Sequence, residues 1–212
     1  MSVTIVSCVY GDPYKRFVPR WVDAIAALKP GPDAVIVATD GDIDIPDVRV
    51  VESFCHWRYP QAWHLRKAVE AADTDWVWVV DIDDLAHPDG LFGIDAVQGD
   101  VWQMGFDRSD GLSYLPPQMS AVEFLASERN VYVAGSAFQT DIFHDCGGFP
   151  DVALQDWGLW RRLARHGAKV VSSGRTHFKY MRHPLTRGDV ELTLDVRPGH
   201  LAEMLEAEFA YA

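Results

Sequence analysis

The stretch Trp76-Val-Trp-Val-Val-Asp-Ile-Asp-Asp-Leu85 constrains the chain more than any other. Five apolar residues, three of them valine, run straight into carboxylates at Asp81, Asp83 and Asp84. A short, continuous apolar run rich in β-branched and aromatic residues predicts a strand covered on both faces. In open α/β sheets, ligands bind in the crevice outside the carboxyl ends of such strands. Acids emerging there repel one another unless a cation or basic side chains compensate them. A hard divalent metal is one answer, Mg²⁺ typically with substrate phosphates completing its shell. A strand end followed by a helix capped by Asp84 or Asp89 is the other. The stretch alone leaves both open.

The remaining composition narrows the classes. A chain of 212 residues, 48% hydrophobic and 24% charged, predicts one soluble globular domain, or two closely packed lobes. Its net charge of −12 disfavours a general nucleic-acid binder, although basic residues cluster between Arg161 and Arg187. Cys8, Cys55 and Cys146 show neither metal-ligand spacing nor a disulfide framework, so a reducing, cytoplasmic setting is expected. The first ten residues lack a basic leader and a long apolar core, and read as a strand rather than a signal peptide. No apolar run reaches the roughly 18 residues of a membrane span.

Along the chain, strands are expected at 3–9, 34–38 and 48–51, with helices at 21–28 and 61–72 before the acidic strand. This order predicts an α/β fold on a mostly parallel sheet with flanking helices. Farther on, 100–106 and 131–138 read as strands and 107–117 as a loop. Residues 120–127 read as a helix with Ser120 and Glu123 forming a capping box. Cys146-Gly-Gly-Phe-Pro150 is a turn, and 156–166 a helix stopped by Gly167. Short strands at 169–171 and 176–180 and a helix at 200–209 complete the pattern.

The chain has no phosphate-binding Gly-x-x-x-x-Gly-Lys loop, no Gly-x-Gly-x-x-Gly turn, no His-Glu-x-x-His zinc motif and no Gly-x-Ser-x-Gly elbow. What remains is a spaced set: Asp40 after the second strand, Arg66 on the following helix, Asp81 and Asp83, Asp156, and His177. With Asp81-Ile-Asp83-Asp84, Gly135-Ser136, Gly147-Gly-Phe149, and Gln155-Asp-Trp-Gly-Leu-Trp160 followed by Arg162-Leu-Ala, residues 3–183 resemble the family 2-like glycosyltransferases of the GT-A fold.

The resemblance implies a single GT-A-like domain, with 1–106 binding the nucleotide sugar and 107–212 forming the acceptor and catalytic half. It implies a metal-dependent, inverting transfer from a nucleotide-diphosphate sugar, a UDP-sugar favoured. Asp40 would contact the base, Arg66 would lie near the donor, and Asp81 near the ribose and a metal-bound water. Asp83 and His177 would hold Mn²⁺ or Mg²⁺, and Asp156 would be the general base. One departure stands out: where the family often has Glu-Asp, this chain has Gln155-Asp156.

Each residue also has a plainer reading. Asp40 fits a turn, Arg66 fits an i,i+4 pair with Glu70, and Asp156 fits an acid at a helix N-terminus. His177 competes with His183 and with a structural role. Trp57 and Trp63 are the better candidates for sugar stacking, while Trp157 and Trp160 suit the core. The rival activities are a sugar-nucleotide nucleotidyltransferase, disfavoured because Tyr10-Gly-Asp-Pro-Tyr-Lys-Arg16 has one glycine, and a non-catalytic nucleotide-sugar-binding module. The acceptor is open among glycan, protein, metabolite and modified nucleic acid. A short second half implies an acceptor site that is open or finished by a partner subunit, a homo-oligomer included.

Overall fold

β1 (Val3–Val9) is the axis of the fold because every one of its residues is buried. Successive strand side chains point to opposite faces, so β1 seeds two cores at once. On one face Val6 and Cys8 meet Ala62, Leu65, Ala68 and Val69 of α3 (Pro60–Glu70). On the other, Val3, Ile5 and Val9 meet Val18, Trp21 and Ile25 of α2 (Val18–Ala26), which follows the single turn α1 (Asp12–Lys15). β2 (Ala34–Thr39), β3 (Arg49–Glu52) and β4 (Trp76–Val79) join in parallel register, with Val6 beside both Ile36 and Val79. In β4, Val77 and Val79 enter one core and Trp76 and Trp78 the other, which is why its sequence is apolar throughout.

The computed structural model describes residues 1–127 and 129–182. His183 and the helix expected at 200–209 lie outside the described residues. The remaining strands are β5 (Leu85–Ala86), β6 (Val101–Arg108), β7 (Ser113–Tyr114), β8 (Ala137–Gln139) and β9 (Val170–Tyr180). The sheet runs β3-β2-β1-β4-β8-β6-β9-β5, with β7 beside β6. It is a mixed α/β arrangement: a curled central sheet of mostly parallel strands, flanked by helices. β8 enters antiparallel between β4 and β6. Helices α4 (Ala121–Ala126), α5 (Thr140–Asp145) and α6 (Gln155–Arg165) belong to the second half. Among the described residues no helix is long and apolar enough to cross a membrane.

Several expectations need correction. The strand expected at 131–138 shrinks to β8. Before it, Gln103 Oε1 accepts from Val133 N at 2.9 Å and from Ser136 Oγ at 3.0 Å, so a side chain takes the Val133 N–H in place of a strand partner. The loop expected at 107–117 contains a hairpin, with Phe106 opposite Tyr114. The two strands expected at 169–171 and 176–180 are one. Gly174 at φ +68° and a shift of register near Gly105 put an irregularity inside a continuous strand. The capping box forms as expected: Ser120 Oγ accepts from Glu123 N, and Glu123 Oε2 from Ser120 N at 2.8 Å.

Candidate active site

The acidic turn after β4 is held largely through its backbone, and Asp81, Asp83 and Asp84 all line a cavity. Asp84 N donates to Asp81 O at 2.9 Å, closing the turn. From α2, Arg20 Nη2 donates to Asp83 O at 2.7 Å and Trp21 Nε1 to Val80 O at 3.2 Å. Asp84 caps no helix. Its Oδ1 accepts from Met181 N at 2.9 Å, tying the turn to the end of β9. Asp89, the other capping candidate, is paired with Arg175 at 2.7 Å.

The second acidic position comes from α6. Gly147 and Gly148 take φ of +82° and +66°, a region that favours glycine, and a Cβ on Gly148 would sit 2.8 Å from the Phe143 ring. Arg162 Nη1 donates to both glycine carbonyls at 3.0 Å. α6 then packs so tightly on the turn that a Cβ at Gly158 would lie 2.3 Å from Pro150. The Gly-Gly-Phe-Pro segment and the Asp-Trp-Gly segment are thus one packing unit, and it delivers Asp156 to the cavity.

That cavity, of 270 Å³, is lined by Asp81, Asp83, Asp84 and Asp156, with Gln61 and Asn130 among the neutral polar groups. Burial, then the charges of Asp83 and Asp156, push Asp81 up to about 7, against a hydrogen bond from Gln61. Burial, then Asp83 and Asp81, raises Asp84 well above the carboxylate range. Asp156 is raised by burial, opposed by Asn130, whose Nδ2 donates to Asp156 Oδ2 at 2.9 Å. Carboxylates from β4 and α6 therefore share one poorly solvated space, an arrangement that attracts cations and shapes acid–base groups.

Asp40, Arg66 and His177 are placed elsewhere. Asp40 is exposed at the end of β2, where its Oδ1 accepts from Gly11 N at 3.2 Å and fixes the loop after β1. Arg66 does pair with Glu70, at 2.8 Å, but it also reaches Gly147 O at 3.1 Å and so supports the double-glycine turn. His177 is fully buried: Nδ1 faces Gly90 O at 2.6 Å, and the ring meets the Trp102 edge at 4.6 Å. Burial pulls it down to about 4, so it is neutral. The reason is strand alternation: Phe178 and Tyr180 line the cavity, and His177 points to the other face of β9. The expectation of a metal ligand at His177 does not fit this placement.

Trp157 and Trp160 are core residues, as expected. Trp57 and Trp63 pack edge to face on each other at 5.2 Å, outside the cavity lining. Sequence reasoning missed Asn130, which sits in an irregular segment with no motif around it. It also missed Gln61, whose Nε2 lies 3.4 Å from Asp81 Oδ1.

The donor set in the cavity suits a hard cation. Its acidic donors are the carboxylates of Asp81, Asp83, Asp84 and Asp156, and no group of three His, Cys, Asp or Glu residues is preformed among the described residues. Mg²⁺-type ions bind in this way, through one or two carboxylates together with water and substrate phosphates. Asp83 and Asp81 fit such an ion.

No protein-family model matches the chain, and no curated protein matches it in sequence. Solved structures do match. TarS 1-349 of S. aureus in complex with UDP superposes with a TM-score of 0.66 at 16% identity, over 100% of this chain and 73% of that one. TarS 1-349 without that ligand gives 0.66 at 15% identity, over 85% and 60%. The mannosyltransferase PcManGT from Pyrobaculum calidifontis, in complex with GDP-Man and Mn²⁺, gives 0.61 at 17% identity, over 99% and 63%. The chain thus spans about three fifths of the length of two of these neighbours. At such identities the likeness shows the fold alone, one that this chain shares with TarS and with the mannosyltransferase.

Proposed function

We propose that this chain is a metal-dependent, inverting glycosyltransferase that moves a sugar from a nucleotide-diphosphate donor, a UDP-sugar favoured, to an acceptor hydroxyl. The observation that carries this reading is the convergence of Asp81 and Asp83 from β4 with Asp156 from α6 on one cavity. Neighbours of this fold hold UDP, UDP-GlcNAc or GDP-Man with Mn²⁺, which supports a nucleotide-sugar donor. The division into a donor half, residues 1–106, and an acceptor half, residues 107–212, belongs to this proposal, with Phe106 at the boundary. Asp40 orders the loop after β1 on the base side. Asp83, with Asp81 beside it, would hold Mn²⁺ or Mg²⁺, which supplies positive charge to the diphosphate leaving group. Arg66 acts through the turn that places α6 and not on the donor itself.

Asp156 takes the proton of the acceptor hydroxyl as that oxygen attacks the anomeric carbon and the bond to diphosphate breaks. Burial raises its pKa and so strengthens it as a base. Gln155 leaves Asp156 as the single carboxylate of that pair, and one base suffices for inversion.

A panel of UDP-, GDP-, ADP- and dTDP-sugars incubated with Mn²⁺ tests the reading. Release of nucleoside diphosphate supports a transferase. Release or incorporation of pyrophosphate would instead indicate a nucleotidyltransferase, and binding without turnover a non-catalytic module.

A further inference from the structure

The sheet order puts the acidic turn of β4 between two differently built walls. On the β1 side, Cys8, Tyr10 and Tyr14 line the cavity near the loop that Asp40 holds. On the side of β6, β7 and β9 stand five rings: Phe106, Tyr114, Tyr132, Phe178 and Tyr180. Four of them form one cluster, with Phe106 at 5.6 Å from Tyr114, 5.7 Å from Phe178 and 5.4 Å from Tyr180, while Tyr132 stacks on Phe124 at 4.3 Å. Two of the phenols are turned away to backbone carbonyls, Tyr114 to Val131 O at 2.7 Å and Tyr132 to Met119 O at 3.3 Å. The half-buried rings of Tyr114 and Tyr180 offer a ligand carbon surface, with the buried Phe106 ring packed against both.

The charge on this side is one-signed. Among the described residues, Arg108 is the one cationic side chain in the lining, and it is paired with Asp110. Facing it are Asp81, Asp83, Asp84 and Asp156. A divalent cation and a diphosphate roughly cancel each other, so the field left at this wall is negative. An acidic ligand would meet repulsion here in a poorly solvated site, where like charges cost most.

Resting on the transferase reading above, we infer that the wall formed by Phe106, Tyr114, Tyr132, Phe178 and Tyr180 is the acceptor subsite, and that its acceptor is an uncharged, ring-shaped polyol, a neutral glycoside. Aromatic faces match the apolar face of a sugar ring, and Asp156 lies in the same cavity to receive its hydroxyl. Phosphorylated and other acidic acceptors are disfavoured by the cluster of Asp81, Asp83, Asp84 and Asp156.

Saturation-transfer NMR on the full chain with UDP and Mg²⁺ tests this, using methyl glycosides as neutral probes and their 6-phosphates as acidic counterparts. UDP affinity measured by calorimetry reports the donor half separately. Neutral glycosides should bind at least about tenfold more tightly than the 6-phosphates, with saturation strongest on ring C–H protons. Tyr114→Leu should weaken the glycoside about tenfold while UDP affinity stays the same. If that variant misfolds, Tyr180→Leu makes the same test from β9. Equal or tighter binding of the 6-phosphates, or glycoside affinity indifferent to the ring substitutions, overturns the assignment. UDP bound with no glycoside signal overturns the acceptor assignment alone. Failure of wild-type chain to bind UDP overturns the transferase reading beneath it as well.

Discussion

Asn130 reaches across 26 positions to donate from Nδ2 to Asp156 Oδ2 at 2.9 Å, while its own Oδ1 is buried without a partner among the described residues. A buried acceptor left unpaired costs about 1–3 kcal/mol. The arrangement therefore favours the orientation of Asp156 at the expense of Asn130. Burial raises the Asp156 carboxyl, and the Asn130 donor pulls it back down. Asp156→Asn should lower turnover by roughly a hundredfold or more with little change in UDP affinity. Asn130→Ala removes the stabilising donor, so the pKa of Asp156 rises further and the acid limb of the rate–pH profile moves to higher pH. Steady-state rates across pH check both. An unmoved acid limb in Asn130→Ala would leave Asn130 a packing residue.

Much of this site was legible in the sequence, for a physical reason. A strand covered on both faces must be apolar throughout, so β4 and its acidic end stand out, and β1, β2 and α3 follow within two residues of the expected bounds. The double-glycine turn was legible because positive φ favours glycine. The second half was harder to read. Val131–Ser136 alternates like a strand, yet Gln103 takes the Val133 N–H and the Ser136 hydroxyl from the side, which no local pattern encodes. His177 falls one position off in strand alternation: Phe178 and Tyr180 on β9 face the cavity and it does not. Asn130 carries no motif, because its role depends on a contact with a helix distant in sequence.

Asp83 is the carboxylate best placed to hold a cation, since its backbone is fixed by Arg20 and it lines the cavity. Asp83→Ala should abolish Mn²⁺-dependent binding of UDP while the melting temperature in metal-free buffer stays the same or rises, because one of several mutually repelling acids is gone. Calorimetric titration of UDP with and without Mn²⁺ measures it. Unchanged metal-dependent affinity would remove Asp83 as a ligand.

Gly135 packs closely on the Phe178 ring. A Cβ there would lie 2.5 Å from Phe178 Cζ, and Phe178 is itself buried against Phe106. Trp78 Nε1 donates to Gly135 O at 3.0 Å, so the backbone is held in place. Gly135→Ala should cost about 1–3 kcal/mol of stability, the range for overpacking a filled core. Denaturant unfolding gives the value, and a cost near zero would mean that the ring has room to move.

The acid cluster also sets how metal-free stability depends on pH. Asp81 sits at about 7 in the folded chain and Asp84 is raised as well, both first through burial, whereas an unfolded aspartate titrates near ~3.9. Between those values the folded state holds protons that the unfolded state has released. Stability from these groups is therefore fully present below the unfolded pKa and is lost as pH rises through the folded one. Other carboxylates act in the opposite sense: Glu70, held down by Lys67 and Arg66 against its burial, contributes stability that is lost on acidification. Comparison with a variant isolates the cluster. In metal-free buffer Asp81→Asn should melt above the wild type at pH 8, and the gain should shrink steadily toward pH 5. Mn²⁺ should raise the wild-type melting temperature more at pH 8 than at pH 5, because protons compete with the cation for the same oxygens. Melting curves of both proteins across this range, with and without Mn²⁺, decide it. A gain that is the same at pH 5 and pH 8 would mean that Asp81 is ionised at both and that the cavity is wetter than its burial implies.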